Sequence, residues 1–394
     1  MKKTYKKQPK HRLLKAGCVG AGLLSISNPT QVTAADIGIL DVHDFGAPPV
    51  SLGTISNPFP GSTLGVHVAV GDIDGDGFGD IVIGPGKGAT EVYIHRGKSD
   101  DQSNKKLILS SFSPGAGVRV ATGDLDGDGL ADIIATPATG ASSRGAFLKF
   151  DGIKGELALL EEFDDIFDGP SGGVSVATGD LDGDGVTDIM AGQVTVNKAK
   201  MADKALGAAF TDFGDPLPDG NGGVQVAAGD VDGDGLADVL VLPNNSPTGL
   251  VQPLLATSKG KHTPWILLPS IDEPTGVHVA LGDVDGDGLS ELVVGSARGS
   301  SPYIKIYGID YAPGLPGTPD VFGTYIKIDI PLDGHSYSGG IRVAVGDVNG
   351  DGFGDLVYGP ASIPEPSTIA SVLTGLGAWI FRGRWRRRSE SPPG

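Results

Sequence analysis

A chain of 394 residues whose only cysteine is Cys18 cannot close a disulfide of its own. Aromatic residues are scarce, at 6%. Basic side chains are outnumbered, 30 Lys and Arg against 48 Asp and Glu, and the imbalance is concentrated in the middle. Residues 1–35 hold seven basic and no acidic side chains, and residues 363–394 hold five Arg and two Glu, so 36–362 carries −28 in a chain of net charge −18. Such a surface lacks the basic patches that phosphate binding needs, which argues against nucleic acid as a partner. Missing too are a His-Glu-x-x-His zinc motif, a Gly-x-Ser-x-Gly nucleophile elbow and any cysteine nucleophile beyond Cys18. Gly84-Pro85-Gly86-Lys87-Gly88-Ala89-Thr90 has the glycine content of a phosphate loop, but its spacing is wrong and a strand pattern follows where a helix is required. Glu161, Glu162, Asp164, Asp165 and Asp168 read as a solvated loop, and His43, His95, His262 and His335 occupy no repeating position.

Glycine, by contrast, is abundant: 64 residues, with 28 proline. That content approaches the range of disordered chains, yet the glycines recur at fixed places. The organising stretch is Gly71-Asp72-Ile73-Asp74-Gly75-Asp76-Gly77-Phe78-Gly79-Asp80, followed by Ile81-Val82-Ile83. It occurs six times, with first acids Asp72, Asp124, Asp180, Asp230, Asp283 and Asp347, a period of 50 to 64 residues. A repeat of that length is one supersecondary unit copied along the chain.

Acidic side chains stand at positions 1, 3, 5 and 9, save for Asn349 at position 3 of the sixth copy, with glycine at position 6 permitting the turn. Ca²⁺ takes six to eight oxygen ligands, and this spacing offers carboxylates with a backbone carbonyl at position 7. The expected ligands are Asp72, Asp74, Asp76, Phe78 and Asp80 in the first loop, and Asp124, Asp126, Asp128, Leu130 and Asp132 in the second. In the third and fourth they are Asp180, Asp182, Asp184, Val186 and Asp188, then Asp230, Asp232, Asp234, Leu236 and Asp238. The fifth uses Asp283, Asp285, Asp287, Leu289 and Glu291, and the sixth Asp347, Asn349, Asp351, Phe353 and Asp355. With a neutral Asn349 at position 3, the sixth loop should bind less tightly. Uncompensated, each pair of carboxylates at ~5 Å and an effective dielectric of ~20 costs roughly 3 kcal/mol. A metal-free Asp/Gly turn would account for one copy; six copies that keep the spacing while the intervening residues vary point to about six Ca²⁺. An EF-hand needs flanking helices and a bidentate Glu at position 12, whereas position 12 is apolar here (Ile83, Val294). Runs such as Val66-His67-Val68-Ala69-Val70 before a loop and Asp238-Val239-Leu240-Val241 after one predict a β-hairpin around each loop.

The pattern Gly-x-Val-x-Val-Ala-x-Gly-Asp-x-Asp-Gly-Asp-Gly-x-x-Asp-Ile resembles the FG-GAP (VCBS-type) repeat, the blade unit of integrin α-subunit β-propellers and of many secreted bacterial proteins, over residues 37–360. The Phe-Gly pair of that repeat is missing from most copies. Two further strand patterns per unit, such as Glu91–His95 and Lys106–Leu109, give four strands, the blade of a propeller. The sixth unit lacks its outer pair, while Ile37–Asp41 and Val50–Thr54 precede the first loop. The expected fold is therefore an all-β, six-bladed propeller of four-stranded blades whose N-terminal strands complete the last blade, leaving no open sheet edge. One inner-strand position is polar in every copy: His67, Arg119, Ser175, Gln225, His278 and Arg342. These six should ring one mouth of the channel, and solvation of that channel is a more economical reading than a ligand site. The resemblance implies that partners engage the face opposite the calcium hairpins, at loops including 85–89, 137–144, 244–249 and 297–301.

The chain ends read as address labels. Lys2, Lys3, Lys6, Lys7, Lys10, Arg12 and Lys15, the apolar 16–26 and Thr33-Ala34-Ala35 make residues 1–35 an export signal that would carry Cys18 away. Residues 36–361 form the propeller. In 362–394, Pro364-Glu365-Pro366, the apolar 367–381 and five arginines resemble a PEP-CTERM sorting signal, which implies recognition by an exosortase-type processing enzyme. The apolar run is 15 residues, short of the ~20 that span a bilayer comfortably, so membrane contact should be transient. The preferred function is a non-enzymatic binding, adhesion or structural module at the cell surface or matrix, engaging exopolysaccharide or another surface protein. A secreted polysaccharide-active enzyme is the alternative, and it would need a carboxylate pair outside the metal loops.

Overall fold

The computed structural model describes residues 36–361, apart from loop segments that include 98–104, 152–155, 203–208, 218–221, 245–249, 257–265, 313–320 and 333–338 and some shorter ones. Residues 1–35 and 362–394, with the export signal and Pro364, Glu365 and Pro366, lie outside the described residues.

Six four-stranded antiparallel sheets and one two-stranded sheet account for the strands described. In the first repeat Val66–Gly71 pairs with Asp80–Pro85, which pairs with Glu91–His95, which pairs with Lys105–Ile108. The inner strand is rich in Val and Ala, residues that fit a pleated, packed surface. The second strand, Asp80–Pro85, is buried along its whole length, because it has sheet neighbours on both sides and a blade against each face. The same two strands recur at Val118–Gly123 with Asp132–Pro137, Val174–Gly179 with Asp188–Gln193, Val224–Gly229 with Asp238–Pro243, Val277–Gly282 with Glu291–Ser296, and Ile341–Gly346 with Asp355–Pro360. The fourth sheet is the least regular, with outer strands of three and two residues, Leu254–Ala256 and Ile266–Leu267. Beside it Leu250–Val251 pairs with Ile271–Asp272, a ribbon the repeat pattern did not signal.

The last sheet joins the two ends of the described chain. Ile37–Asp41 pairs with Asp355–Pro360 on one side and with Val50–Ile55 on the other. The N-terminal strands thus supply the outer pair that the final repeat lacks, and the edge that would otherwise be open is covered. The core lies between blades. Val82, Ile94 and Leu109 of the first blade meet Ile133 and Leu148 of the second. Each later pair of neighbours has its own cluster, and the last blade packs Ile37, Ile39 and Val357 against Val66, Val68 and Ile81 of the first. This is a β-propeller of four-stranded antiparallel blades, its first and last strands sharing one sheet.

Two sequence expectations shift. Glu161 and Glu162 are in the strand Glu156–Phe163, paired with Phe147 and Ala146, instead of a loop. The outer strand read as 106–109 runs one residue earlier, Lys105–Ile108, with Leu109 turning into the core. The alternation Lys106-Leu107-Ile108-Leu109 fits both registers, and the turn decides.

Candidate metal loops and the axial cavity

Each acidic loop connects the inner strand of a blade to its second strand, so all six hang from the same end of the propeller. The first acid folds the loop around itself. Asp72 Oδ1 accepts from the amides of Gly75 (2.7 Å) and Asp76 (3.1 Å), and Oδ2 accepts from Gly77 (3.0 Å). Equivalent bonds to positions 4 and 6 recur in the other five loops. Gly75 and Gly77 reach this wrap with φ of 76° and 86°, a region that L side chains avoid.

The acid at position 9 is the buried one. Asp80, Asp132, Asp188, Asp238, Glu291 and Asp355 are all 2% exposed or less. One oxygen of each accepts from the amide of position 2, at 2.8 to 3.2 Å. Burial pushes Asp80, Asp132 and Asp355 up to about 6, and raises Glu291 as well. In the second loop Asp132 Oδ1 is buried with no hydrogen-bond partner. Lys149 Nζ stands 3.9 Å from it, too far for a hydrogen bond, and a buried carboxylate oxygen left without one among other acids suits a cation site. One oxygen from each of Asp72, Asp74 and Asp80 lies within 4.8 Å of the others, as in Asp124, Asp126 and Asp132 and in Asp180, Asp182 and Asp188; in the fourth loop the group is Asp230, Asp232 and Asp234. The donor set is all oxygen and fits Ca²⁺. Positions 1, 3 and 9 converge in the first three loops. Asp76, Asp128 and Asp184 at position 5 instead accept from the position-7 amides of Phe78, Leu130 and Val186, at 2.9 to 3.1 Å.

Several loops carry partners that the spacing did not announce. Arg96, just past the third strand of the first blade, ion-pairs with Asp74. Lys149 Nζ lies 2.5 Å from Asp126 and 2.6 Å from Asp128, and Lys327 Nζ lies 2.7 Å from Asp285 and 2.6 Å from Glu291. Lys149 and Lys327 are raised, burial opposing and their carboxylate partners prevailing. In the sixth loop the amide of Asn349 donates to Asp351 (3.0 Å), while Asp41 and His43 approach from the N-terminal strand. His43 Nδ1 is 2.5 Å from Asp41 Oδ1, its ring stacks on Phe353 at 4.7 Å, and the hydrogen bond to Asp41 raises its pKa. His43 therefore belongs to the surroundings of the sixth loop, and Asp41 brings a carboxylate near the place where Asn349 lacks one. These partners come from outer strands that carry no repeat signature, so spacing alone could not find them.

The loops are tied to one another. The amide at position 8 of each loop donates to the position-1 carbonyl of the loop before it: Ala131 to Asp72, Thr187 to Asp124, Ala237 to Asp180, Ser290 to Asp230, Gly354 to Asp283 and Gly79 to Asp347. The position-7 side chain also reaches the position-4 glycine of the preceding loop. A Cβ on Gly75 would stand 2.8 Å from Leu130 Cδ2, and one on Gly350 would stand 2.3 Å from Phe78 Cε1. The invariably apolar position 7 (Phe78, Leu130, Val186, Leu236, Leu289, Phe353) was the sequence signal for this contact.

At the opposite ends of the inner strands, His67, Arg119, Ser175, Gln225, His278 and Arg342 line one axial cavity of about 90 Å³. Gln225 Nε2 donates to the Val277 carbonyl (2.9 Å), Ser175 Oγ accepts from the Val226 amide (3.2 Å), and Arg342 Nη1 donates to the carbonyls of Leu64 (2.8 Å) and Val66 (3.0 Å). These are the six inner-strand positions that the sequence expected to ring one mouth of the channel. Of the outer-face loops, 245–249 and 298–301 lie outside the described residues, as do His262 and His335. No helix among the described residues is long and apolar enough to cross a membrane.

A family model described as an FG-GAP-like repeat matches residues 72–135, and one described as an FG-GAP repeat matches 275–307. No curated protein matches the chain. Similar solved structures include the exotype rhamnogalacturonan lyase YesX, at 12% identity and a TM-score of 0.36 over 75% of this chain and 72% of that one. Another is the rhamnogalacturonan lyase YesW, at 12% identity and a TM-score of 0.35 over 79% of this chain and 66% of that one. The chain carries FG-GAP repeats arranged as a β-propeller with acidic loops suited to calcium.

Proposed function

We propose that this protein is an exported six-bladed propeller, stiffened by about six Ca²⁺, that serves as a non-enzymatic binding, adhesion or structural module at the cell surface or extracellular matrix. The observation that carries this reading is the belt of acidic loops, bonded one to the next around the ring. Charge neutralisation in one loop is then felt by its neighbours, so the ions would rigidify the whole end of the molecule and not six separate hairpins. Asp72, Asp74 and Asp80 and their equivalents would hold the ion, which supplies the positive charge that lets them stand close. What favours binding over polysaccharide cleavage is the lining of the axial cavity, where no carboxylate stands among the described residues to act as an acid and base pair. The basic N-terminus, Pro364-Glu365-Pro366 and the arginine tail support export, processing by an exosortase-type enzyme and a short-lived membrane contact.

Elemental analysis of the purified protein should return close to six calcium per chain, and EGTA should lower its melting temperature by well over 10 °C. A glycan array read with and without calcium should show binding that chelation abolishes. Turnover of a polysaccharide without any carbohydrate retention would replace the binding reading with an enzymatic one.

A further inference from the structure

The axial cavity holds two guanidinium groups, Arg119 and Arg342, and two imidazoles, His67 and His278, with no acidic side chain among the described residues that line it. The Nε atoms of both arginines and Nε2 of His67 are buried without a hydrogen-bond partner, and His67 is 7% exposed. Elsewhere among the described residues, Arg96, Lys149 and Lys327 sit on carboxylates. Arg342 spends its Nη1 hydrogens on the Leu64 and Val66 carbonyls, which fixes the fork but leaves its charge unneutralised. The four groups feel one another: Arg119 and Arg342 both depress His67 and His278, after burial, and Arg342 is lowered by burial and by Arg119. Burying charges of one sign without a counter-charge is costly. Water in the channel would solvate such a ring, but a neutral polar set like Ser175 and Gln225 would serve that purpose at lower cost.

We propose that the axial cavity is a site for one small divalent oxyanion, a sulfate or phosphate group, held by the Arg119 and Arg342 guanidiniums with His67 and His278 as further donors. Planar guanidinium forks match tetrahedral oxyanions, and such charge-assisted bonds are short and strong. A cavity of about 90 Å³ has room for one such group with a few waters, each needing only ~10–15 Å³. The ring lies at the mouth away from the calcium loops, so the group can arrive as a free ion or as a substituent of a larger chain entering from that face.

Equilibrium dialysis of the full protein against labelled inorganic sulfate, in submillimolar calcium and at fixed ionic strength, should saturate at one equivalent per chain. Arg119→Gln should weaken binding at least tenfold, and Lys106→Gln, which removes a cation of an outer strand that pairs with Glu91, should leave it within twofold, with calcium content unchanged in both as the check on folding. If Arg119→Gln loses its calcium, Arg342→Lys takes its place: it keeps the charge, removes the fork, and should weaken sulfate binding at least fivefold. Competition by a sulfated monosaccharide that is tighter than free sulfate identifies a glycan substituent as the source; equal or weaker competition identifies the free ion. Binding that does not saturate, or that the folded arginine variant retains in full, overturns the proposal.

Discussion

The backbone amide of Gly79 donates to the carbonyl of Asp347, and this bond ties the first acidic loop to the last across about two thirds of the sequence. Five bonds of the same kind join the other neighbours, so the belt has no end. Its members sit where carboxylates crowd, so a change in one loop is transmitted through the backbone to two others.

Gly79 is, with Gly354, one of the two belt positions that leave no room for a side chain. A Cβ there would stand 2.6 Å from Val70 Cγ1 and 2.8 Å from the Asp347 carbonyl oxygen. Gly79→Val must push the first and sixth loops apart, and overpacking of this kind costs ~1–3 kcal/mol. Urea melts should show that loss, while Gly129→Ala, where a Cβ meets nothing within 4 Å, should cost less and act through its φ of 86° alone.

Lys149 stands in for part of the charge that an ion would supply to the second loop. Lys149→Met should leave Asp126, Asp128 and the orphaned Asp132 oxygen without a counter-charge in EGTA, lowering the melting temperature. In calcium the same change should tighten one site by roughly tenfold, equivalent to ~1.4 kcal/mol of competition removed. Calorimetric titration distinguishes this outcome from a purely structural lysine, whose loss would weaken both states.

In the sixth loop, Asn349→Asp removes the donor that now bonds Asp351 and adds a carboxylate close to Asp355 and Asp41. The metal-free protein should lose stability, by ~1–3 kcal/mol if the new charge is left unpaired. The calcium-loaded protein should instead be stabilised, so the two melting curves move apart relative to the wild type.

Acidity should act in opposite directions on the two states. Asp80, Asp132 and Asp355 have folded pKa values raised to about 6 by burial, against ~3.9 for a solvated Asp. Between those values the metal-free folded state binds more protons than the unfolded chain, so its stability falls as pH rises from about 4 through about 6. Stripped of calcium beforehand and held in metal-free buffer, the protein should melt higher at pH 5 than at pH 7.5. Calcium must displace those protons, so the calcium-induced rise in melting temperature should be larger at pH 7.5. Scanning fluorimetry in the four conditions checks both signs.

The hairpin around each loop, the four-strand unit and the polar ring were all legible from the sequence, because each is written in the same phase six times over. Repetition turns a weak local pattern into a strong one. Arg96, Lys149, Lys327, Asp41 and His43 were not legible, since they arrive from outer strands whose sequences diverge between copies. His43 in particular has no counterpart in the other copies, and only the pairing of Ile37–Asp41 with the final hairpin brings it to Phe353. The belt bonds escaped notice for another reason: their donor and acceptor are backbone atoms, and the sequence shows only the small or hydroxylated residues Gly79, Ala131, Thr187, Ala237, Ser290 and Gly354 that leave them room.

Because Ile37–Asp41 is hydrogen-bonded to Asp355–Pro360, the earliest strand of the wheel has to wait for the latest. While the polypeptide is being made, residues 37–55 have no permanent home. Assembly must finish in one late docking step that spans more than three hundred residues of chain. Any interruption upstream of Ile341 would strand a sticky two-stranded ribbon, available to a neighbouring molecule with the same gap.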